Sequence, residues 1–307
     1  MQNHSLQKII IEKSKELGFN LIGFTSAIDG INDKIEKWID LEYQASMDWM
    51  KTSLDQRKNI LKYFPEAKTV ISFGYNYYTD NNRNNNEYKI SNYAWGNDYH
   101  IVLKEKLYEI IKIINNHHNK EFNYRVCVDT SPVMEKYWAQ KAGLGWIGKH
   151  TNLINSKIGS WFFLSEIIID FELEYDKPFM YDLCGSCTKC IDACPTDAID
   201  DYILDSNKCI SYHTIENRDS IPKSFAGDFN NWIYGCDICQ EVCPWNIKYE
   251  TKTDDINFMK RKEIDKKSKI EWENLSQEEY QKTFKKSAIK RTKYSGITRN
   301  ILFNKEN

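Results

Sequence analysis

A chain of 307 residues, 41% of them hydrophobic, is long enough for a sizeable core and for more than one domain. Its longest apolar stretches, such as Trp161–Ile169, are about a strand long, far short of the ~20 residues a bilayer-spanning helix needs, which argues against a membrane protein. The net charge of −2 is unevenly spread: residues 251–307 carry 15 Lys and Arg against 9 Asp and Glu, a surplus of +6 that leaves −8 upstream.

The N-terminus is amphipathic and lacks the continuous apolar core of a secretory signal, so a cytoplasmic location is expected. Leu6, Ile9, Ile10 and Leu17 form one helical face, and Gly18 stands where a C-cap would end it. Phe19–Thr25 reads as a strand. The stretch Asp33–Leu54 reads as a helix with an imperfect apolar stripe. Thr69–Tyr75 is a buried strand, and the Asn-rich run Asp80–Glu87 has little to bury and is expected to be a mobile loop. Leu103, Leu107, Ile110, Ile111 and Ile114 predict an amphipathic helix over Tyr99–Asn116. Tyr124–Val128, holding a buried thiol at Cys127, is the next strand. It runs into Asp129-Thr-Ser-Pro132 and a helix from Val133 to Ala142 closed by Gly143. Thr151–Ile154 and Gly159–Ile169 suggest a hairpin. The alternation points to an α+β protein. A layered α/β body would occupy residues 1–175, a cysteine-rich ferredoxin-like module 176–250, and a basic helical tail 251–307.

Eight of the nine cysteines fall in two interlocking runs, Cys184-x2-Cys187-x2-Cys190-x3-Cys194-Pro195 and Cys209 followed by Cys236-x2-Cys239-x3-Cys243-Pro244. Such a loop wraps three thiolates round one cubane, and the cysteine before proline ligates the other. The spacing assigns Cys184, Cys187, Cys190 and Cys243 to one [4Fe–4S] cluster, and Cys194, Cys209, Cys236 and Cys239 to a second. Zinc would leave the C-x3-C-P endings unexplained, and disulfides would need an oxidising compartment.

Two clusters alone would make an electron carrier, yet some 180 residues precede them and should house what the electrons reach. Asp129, at the end of a strand, has two readings. Burial could keep its carboxyl protonated as a proton donor, or it could belong to the capped start of a helix. Gly143-Leu-Gly145-Trp-Ile-Gly148 has dinucleotide spacing in the wrong context, because it follows a helix. His100 sits in an Asp-x-His segment in which Leu103 replaces the glycine of a cobalt-ligating motif, leaving a surface or helix-start residue. His213 is a candidate for packing or for a place beside a cluster. The seven basic residues of Lys282–Arg299 read as either a solvated helix face or a phosphate-gripping surface.

These segments together resemble the epoxyqueuosine reductase family. The resemblance rests on Val128-Asp-Thr-Ser-Pro132, Gly143-Leu-Gly-Trp-Ile-Gly-Lys149, Gly159-Ser-Trp161 with Glu166, and the two cysteine runs. It continues through Cys209-Ile-Ser-Tyr212 with Thr214-Ile-Glu216, and Lys290-Arg-Thr-Lys-Tyr-Ser-Gly296 with Arg299-Asn300. It implies an oxidoreductase that uses base-off cobalamin and two [4Fe–4S] clusters. The reaction implied is reduction of epoxyqueuosine to queuosine at the wobble position of a tRNA with a GUN anticodon, the last step of queuosine synthesis. An external low-potential donor would supply electrons to a monomeric enzyme. By the same resemblance Asp129 is the proton donor. Arg57, Asn92, Asp129, Leu153, Leu164, Ile167, Ser211 and Asp237 contact the corrinoid. Lys285, Lys286, Lys290, Arg291, Lys293 and Arg299 would face tRNA. A reductive dehalogenase-like enzyme shares this electron logic and is the nearest alternative; a plain two-cluster electron carrier and an RNA-binding protein with structural clusters are the others.

Overall fold

The computed structural model describes residues 2–28, 32–80, 87–118 and 120–307, with side chains from Ser5 onward. Most of the Asn-rich run expected as a loop, residues 81–86, lies outside the described residues.

A four-stranded antiparallel sheet forms the centre, in the order Leu21–Ser26, Thr69–Asn76, Phe162–Ile169, Tyr124–Cys127. The two inner strands are apolar and buried along almost their whole length, as strands covered on both faces must be. Because side chains alternate across a sheet, Ile167 and Ile169 face one way and Ile168 the other. The first face packs Phe24, Phe73 and Ile167 against Leu6 and Ile10 of the helix Gln2–Glu16, and against Leu103, Leu107 and Ile110 of the helix Tyr99–His118. The opposite face packs Val70, Cys127 and Ile168 against Ile60, Phe64 and Trp138. Trp138 belongs to the helix Glu135–Lys141. Glu166, two residues from Ile168, is directed at that same helix.

Two elements differ from the sequence expectation. The single helix expected over Asp33–Leu54 is broken into Lys34–Asp40, Trp49–Thr52 and Leu54–Lys58. Glu42 and Ala45 take positive φ between the pieces, which an α-helix excludes. The expected hairpin of Thr151–Ile154 with Gly159–Ile169 is reduced to one bridge, Asn155 to Gly159. Leu153–Ile154 pairs instead with Trp146–Ile147. The long apolar strand is drawn into the sheet centre, where both of its edges are hydrogen-bonded.

The basic tail is not a separate body. The strand Trp232–Tyr234 pairs with Lys89–Ile90, and the helix Lys293–Glu306 lies against it. Trp95, Ile233, Tyr234, Trp272, Phe284, Ile297 and Ile301 share one core. Residues from all three expected segments therefore fold together.

Candidate active site and cysteine centres

Asp129 stands one residue, Val128, beyond the strand Tyr124–Cys127 and takes φ 58°, a left-handed conformation that costs a non-glycine residue about 1–2 kcal/mol. Its backbone N–H donates to Glu135 Oε1 at 2.7 Å, which holds this bend. The turn presents its carboxylate to His100, with Nε2 to Oδ2 at 3.1 Å. The other ring nitrogen, Nδ1, meets Asp98 Oδ1 at 2.7 Å. Asp98 in turn faces Lys290, with Oδ2 to Nζ at 3.2 Å. A line of alternating charge thus runs Asp129, His100, Asp98, Lys290.

This line reverses the expected ionisation of Asp129. Burial pushes its carboxyl up, but the hydrogen bond and charge of His100, aided by Tyr99 and Arg291, outweigh burial and hold it below the ordinary range. For His100, burial acts downward, yet its bonds to Asp129 and Asp98 raise it to about 9. Asp98 is opposed by burial but lowered to about 2 by His100 and Lys290. At neutral pH the mobile proton therefore sits on His100, between two carboxylates. Sequence reasoning set His100 aside as a surface or helix-start residue. It does open a helix, but its ring belongs to the site.

Asp129 and Tyr99 lie where two spaces meet. One is an open cleft of about 970 Å³, walled also by Trp49, Arg57, His100, Lys290 and Arg291. The other is a recess of about 250 Å³ walled by Glu135, Lys136, Leu153, Phe162, Leu164 and Gln240. Lys136, Asn152 and Gln240 extend from that recess into a third space of about 220 Å³, which includes Ser211, Asp237, Cys194, Cys209, Cys236 and Cys239. A fourth, of about 320 Å³, is ringed by Cys184, Cys187, Cys190 and Cys243.

The donor sets of the last two spaces fit iron–sulfur clusters. Among the described residues no three cysteine, histidine or carboxylate side chains converge tightly enough for a single metal ion; four thiols standing round a cavity suit a larger, multi-iron body. Backbone N–H groups of Ser211 and Tyr212 point at the Cys209 sulfur, and the Ala198 N–H is 3.3 Å from that of Cys194. His150 lies buried on the wall common to both cysteine cavities. Its Nδ1 accepts the Asn152 N–H at 3.2 Å, which makes Nε2 the N–H donor, and no protein acceptor meets it. A sulfide-rich group would satisfy that orphan. Gly145 serves packing: a Cβ there would strike the Ile154 carbonyl, so the glycine lets this hairpin close and set the Trp146 indole N–H 3.5 Å from the Cys184 sulfur.

The remaining predicted residues divide. Arg57, Leu153, Leu164, Ser211 and Asp237 line the connected spaces. Asp237 is buried, accepting the Ser91 hydroxyl and, at 2.8 Å, the Asn92 N–H. Asn92 is itself buried and contributes through backbone. The Ile167 side chain points away into the core beneath the 99–118 helix. In the tail, Lys285, Lys286 and Lys293 are exposed. Arg291 forks onto Glu216 at 2.8–3.1 Å and lies over the Trp49 ring. Arg299 is committed to structure, donating to the carbonyls of His213, Asn217 and Asp219 at 2.7–2.8 Å. His213 packs, with Nε2 2.8 Å from the Asn207 carbonyl. Cys127 is fully buried, and burial pushes its thiol up to about 12.

Comparison with known proteins agrees with this architecture. Residues 57–130 match the family described as epoxyqueuosine reductase QueG, DUF1730, and residues 183–246 match the 4Fe-4S double cluster binding domain. The chain is 44% identical to an epoxyqueuosine reductase of Cyclobacterium marinum over 96% of each, and 40% identical to that of Prochlorococcus marinus, again over 96% of each. It superimposes with a TM-score of 0.86 at 28% identity on an epoxyqueuosine reductase solved with an epoxyqueuosine-modified tRNA stem loop, covering 98% of this chain and 81% of that one. A Bacillus subtilis structure, described as having its aspartate catalytic loop swung out of the active site, aligns with a TM-score of 0.85 at 27% identity over the same shares.

Proposed function

This chain belongs to the epoxyqueuosine reductase family, so its reaction is the reduction of epoxyqueuosine to queuosine in tRNA, and we propose that Asp129, charged by His100, protonates the departing epoxide oxygen. The observation that carries this reading is the Asp129–His100–Asp98 line, standing where the open cleft meets the recess that leads to four of the cysteines. A reductase of this kind must bring electrons from one side and an RNA base from the other. The connected spaces supply both approaches.

The eight cysteines would hold two [4Fe–4S] clusters, one per foursome. Arg57, Leu153, Leu164, Ser211 and Asp237 would hold cobalamin. The recess and the two spaces it joins would suit it together, the recess contributing an apolar wall of Leu153, Phe162 and Leu164 and the amides of Asn152 and Gln240, which match a flat ring fringed with amide groups. Cobalamin, expected base-off, would supply a cobalt centre that becomes a strong nucleophile once such low-potential clusters have reduced it one electron at a time. An external low-potential donor would feed the clusters of a monomeric, cytoplasmic enzyme. Among the described residues no helix is long and apolar enough to cross a membrane.

The residues of this chain then act in order. Negative charge grows on the epoxide oxygen as its bond to carbon breaks. The His100 proton passes to Asp129 and from there to that oxygen, a transfer worth about 10²–10⁴ in rate. Asp98 keeps the imidazole oriented and stabilises its protonated form, as a carboxylate behind a catalytic histidine does, and solvent at the open cleft restores the proton. The wobble base must be splayed out of the anticodon loop to reach the cleft. Lys285, Lys286 and Lys293, with Lys290 and Arg291 at the cleft rim, would meet anticodon-stem phosphates.

Nucleoside mass spectrometry of tRNA from cells lacking this protein tests the whole reading. Epoxyqueuosine should accumulate and queuosine should disappear. An unchanged nucleoside profile sinks it.

A further inference from the structure

Removing an epoxide oxygen as water breaks two C–O bonds, forms two O–H bonds and leaves a C=C bond. The balance is two electrons, from the external donor, and two protons. The His100–Asp129 pair holds one proton. A second must come from elsewhere, and a different pair of acids lies immediately behind the first.

Glu166 is fully buried on the central strand; among the described residues no N–H or hydroxyl group donates to either carboxyl oxygen, and the side chain within hydrogen-bonding reach is the Glu135 carboxyl. It stands between Ser72 and Cys127 in the sheet register, facing the helix that begins at Glu135. Glu135 is the charged neighbour that acts on it. Glu135 also accepts the Asp129 N–H at 2.7 Å and lines the recess together with Asp129 and Tyr99. We infer that Glu135 and Glu166 form a second proton source for this reaction, Glu166 as the buried store and Glu135 as the acid that opens onto the recess and delivers the second proton to the oxygen. The inference rests on the reading of the site as an epoxide reductase.

Electrostatics requires a proton in this pair. Two adjacent carboxylates, Glu166 fully buried and Glu135 half-buried beside it, cannot both ionise without a cation bonded to them. The groups facing Glu135 are Asp129 on its own loop, Lys136 on its own helix, His100 and Tyr99 on the 99–118 helix, Arg57 on the 54–58 helix, and Glu166 on the strand. Cys127, a thiol at neutral pH, flanks Glu166. Lys136, His100 and Arg57 are the cations of this set, and none is hydrogen-bonded to either glutamate. Burial first, then Asp129, pushes Glu135 up to about 8; burial and then Glu135 push Glu166 well above the carboxylate range. Glu135 thus titrates near physiological pH, where a general acid is most useful.

The test uses holoenzyme and an epoxyqueuosine-bearing RNA stem loop. Glu135→Gln keeps an oxygen to accept the Asp129 N–H, so a purely positional role would be rescued by it. A proton-donating role predicts that kcat falls about 10–100-fold with KM nearly unchanged, and that the fall in rate beginning near pH 8 disappears, leaving the later fall near pH 9 that belongs to His100. Infrared spectra of the substrate-free holoenzyme should show a carboxylic acid carbonyl band at neutral pH that shifts in D₂O and is lost in Glu166→Gln. Wild-type kcat and an unaltered pH profile in Glu135→Gln overturn the inference, as does absence of the infrared band from the wild type. If the substituted protein fails to assemble its clusters, which iron content reveals, the wild-type band still decides. Failure of the wild type to reduce the stem loop would instead defeat the functional reading itself.

Discussion

Two pairs of acidic residues sit back to back across one turn of chain, and their environments drive them to opposite charge. The outer pair, Asp129 and Asp98, shares the His100 ring and is held ionised by it. The inner pair, Glu135 and Glu166, has no bonded cation, and burial holds it towards the neutral form. One residue links them, since Glu135 binds the backbone of Asp129. The difference teaches that burial alone does not set a carboxyl's charge: a single imidazole between two carboxylates reverses its effect. Carboxyl groups pushed apart in this way mark distinct proton-handling roles.

The largest expected effect breaks the outer pair. Asp129→Asn should retain eight irons' worth of cluster absorbance yet lose about 10²–10⁴ in kcat, measured by single-turnover reduction of the stem loop. Full activity in that variant would remove Asp129 from the chemistry. His100→Gln should cost about 10–100-fold, and its pH profile should lose the decline that the wild type shows as pH rises through about 9, where His100 gives up its proton. Retention of that limb would mean that another group carries it. Asp98→Asn sharpens the comparison more gently. With one carboxylate gone, His100 should deprotonate at lower pH, so the same limb should move downwards with a rate loss of about 5–10-fold near neutrality. A limb that stays in place would show that Asp129 alone holds the imidazole's charge.

The tail repeats the contrast between engaged and free groups, with smaller consequences. Lys285, Lys286 and Lys293 face solvent. Replacing them with Ala should flatten the slope of log K against log salt by about 0.7–0.9 for every phosphate that one of these ammonium groups neutralises. Arg299→Ala should leave that slope alone and instead lower stability by about 1–3 kcal/mol, measured by denaturant unfolding, because it strands the carbonyls of His213, Asn217 and Asp219. A slope that changes with Arg299 would return it to the RNA-facing set.

The cysteine pattern was readable because cluster ligation is a local demand: spacings of two and three residues decide which sulfurs can surround one centre, wherever the rest of the chain goes. The amphipathic helix at 99–118 followed from periodicity, and the buried strand at 69–76 and the strand at 124–127 from short apolar runs, for the same reason. Asp129 was recognisable from its place at a strand end, but its charge was not. That depends on His100, 29 residues away in the chain, whose own charge depends in part on Lys290 acting through Asp98. Glu166 gave no signal as an acid because it reads as one polar interruption of an apolar strand, and only the sheet register and the helix above it turn it towards Glu135. Arg299 and Lys285 look alike in sequence, and folding separates them by giving one of them carbonyls to bind. By itself the sequence determined which residues are able to hold metal and protons. Tertiary structure decided which of them carry the charge, because ionisation answers to neighbours in space and to access of water, and neither is written in the order of residues.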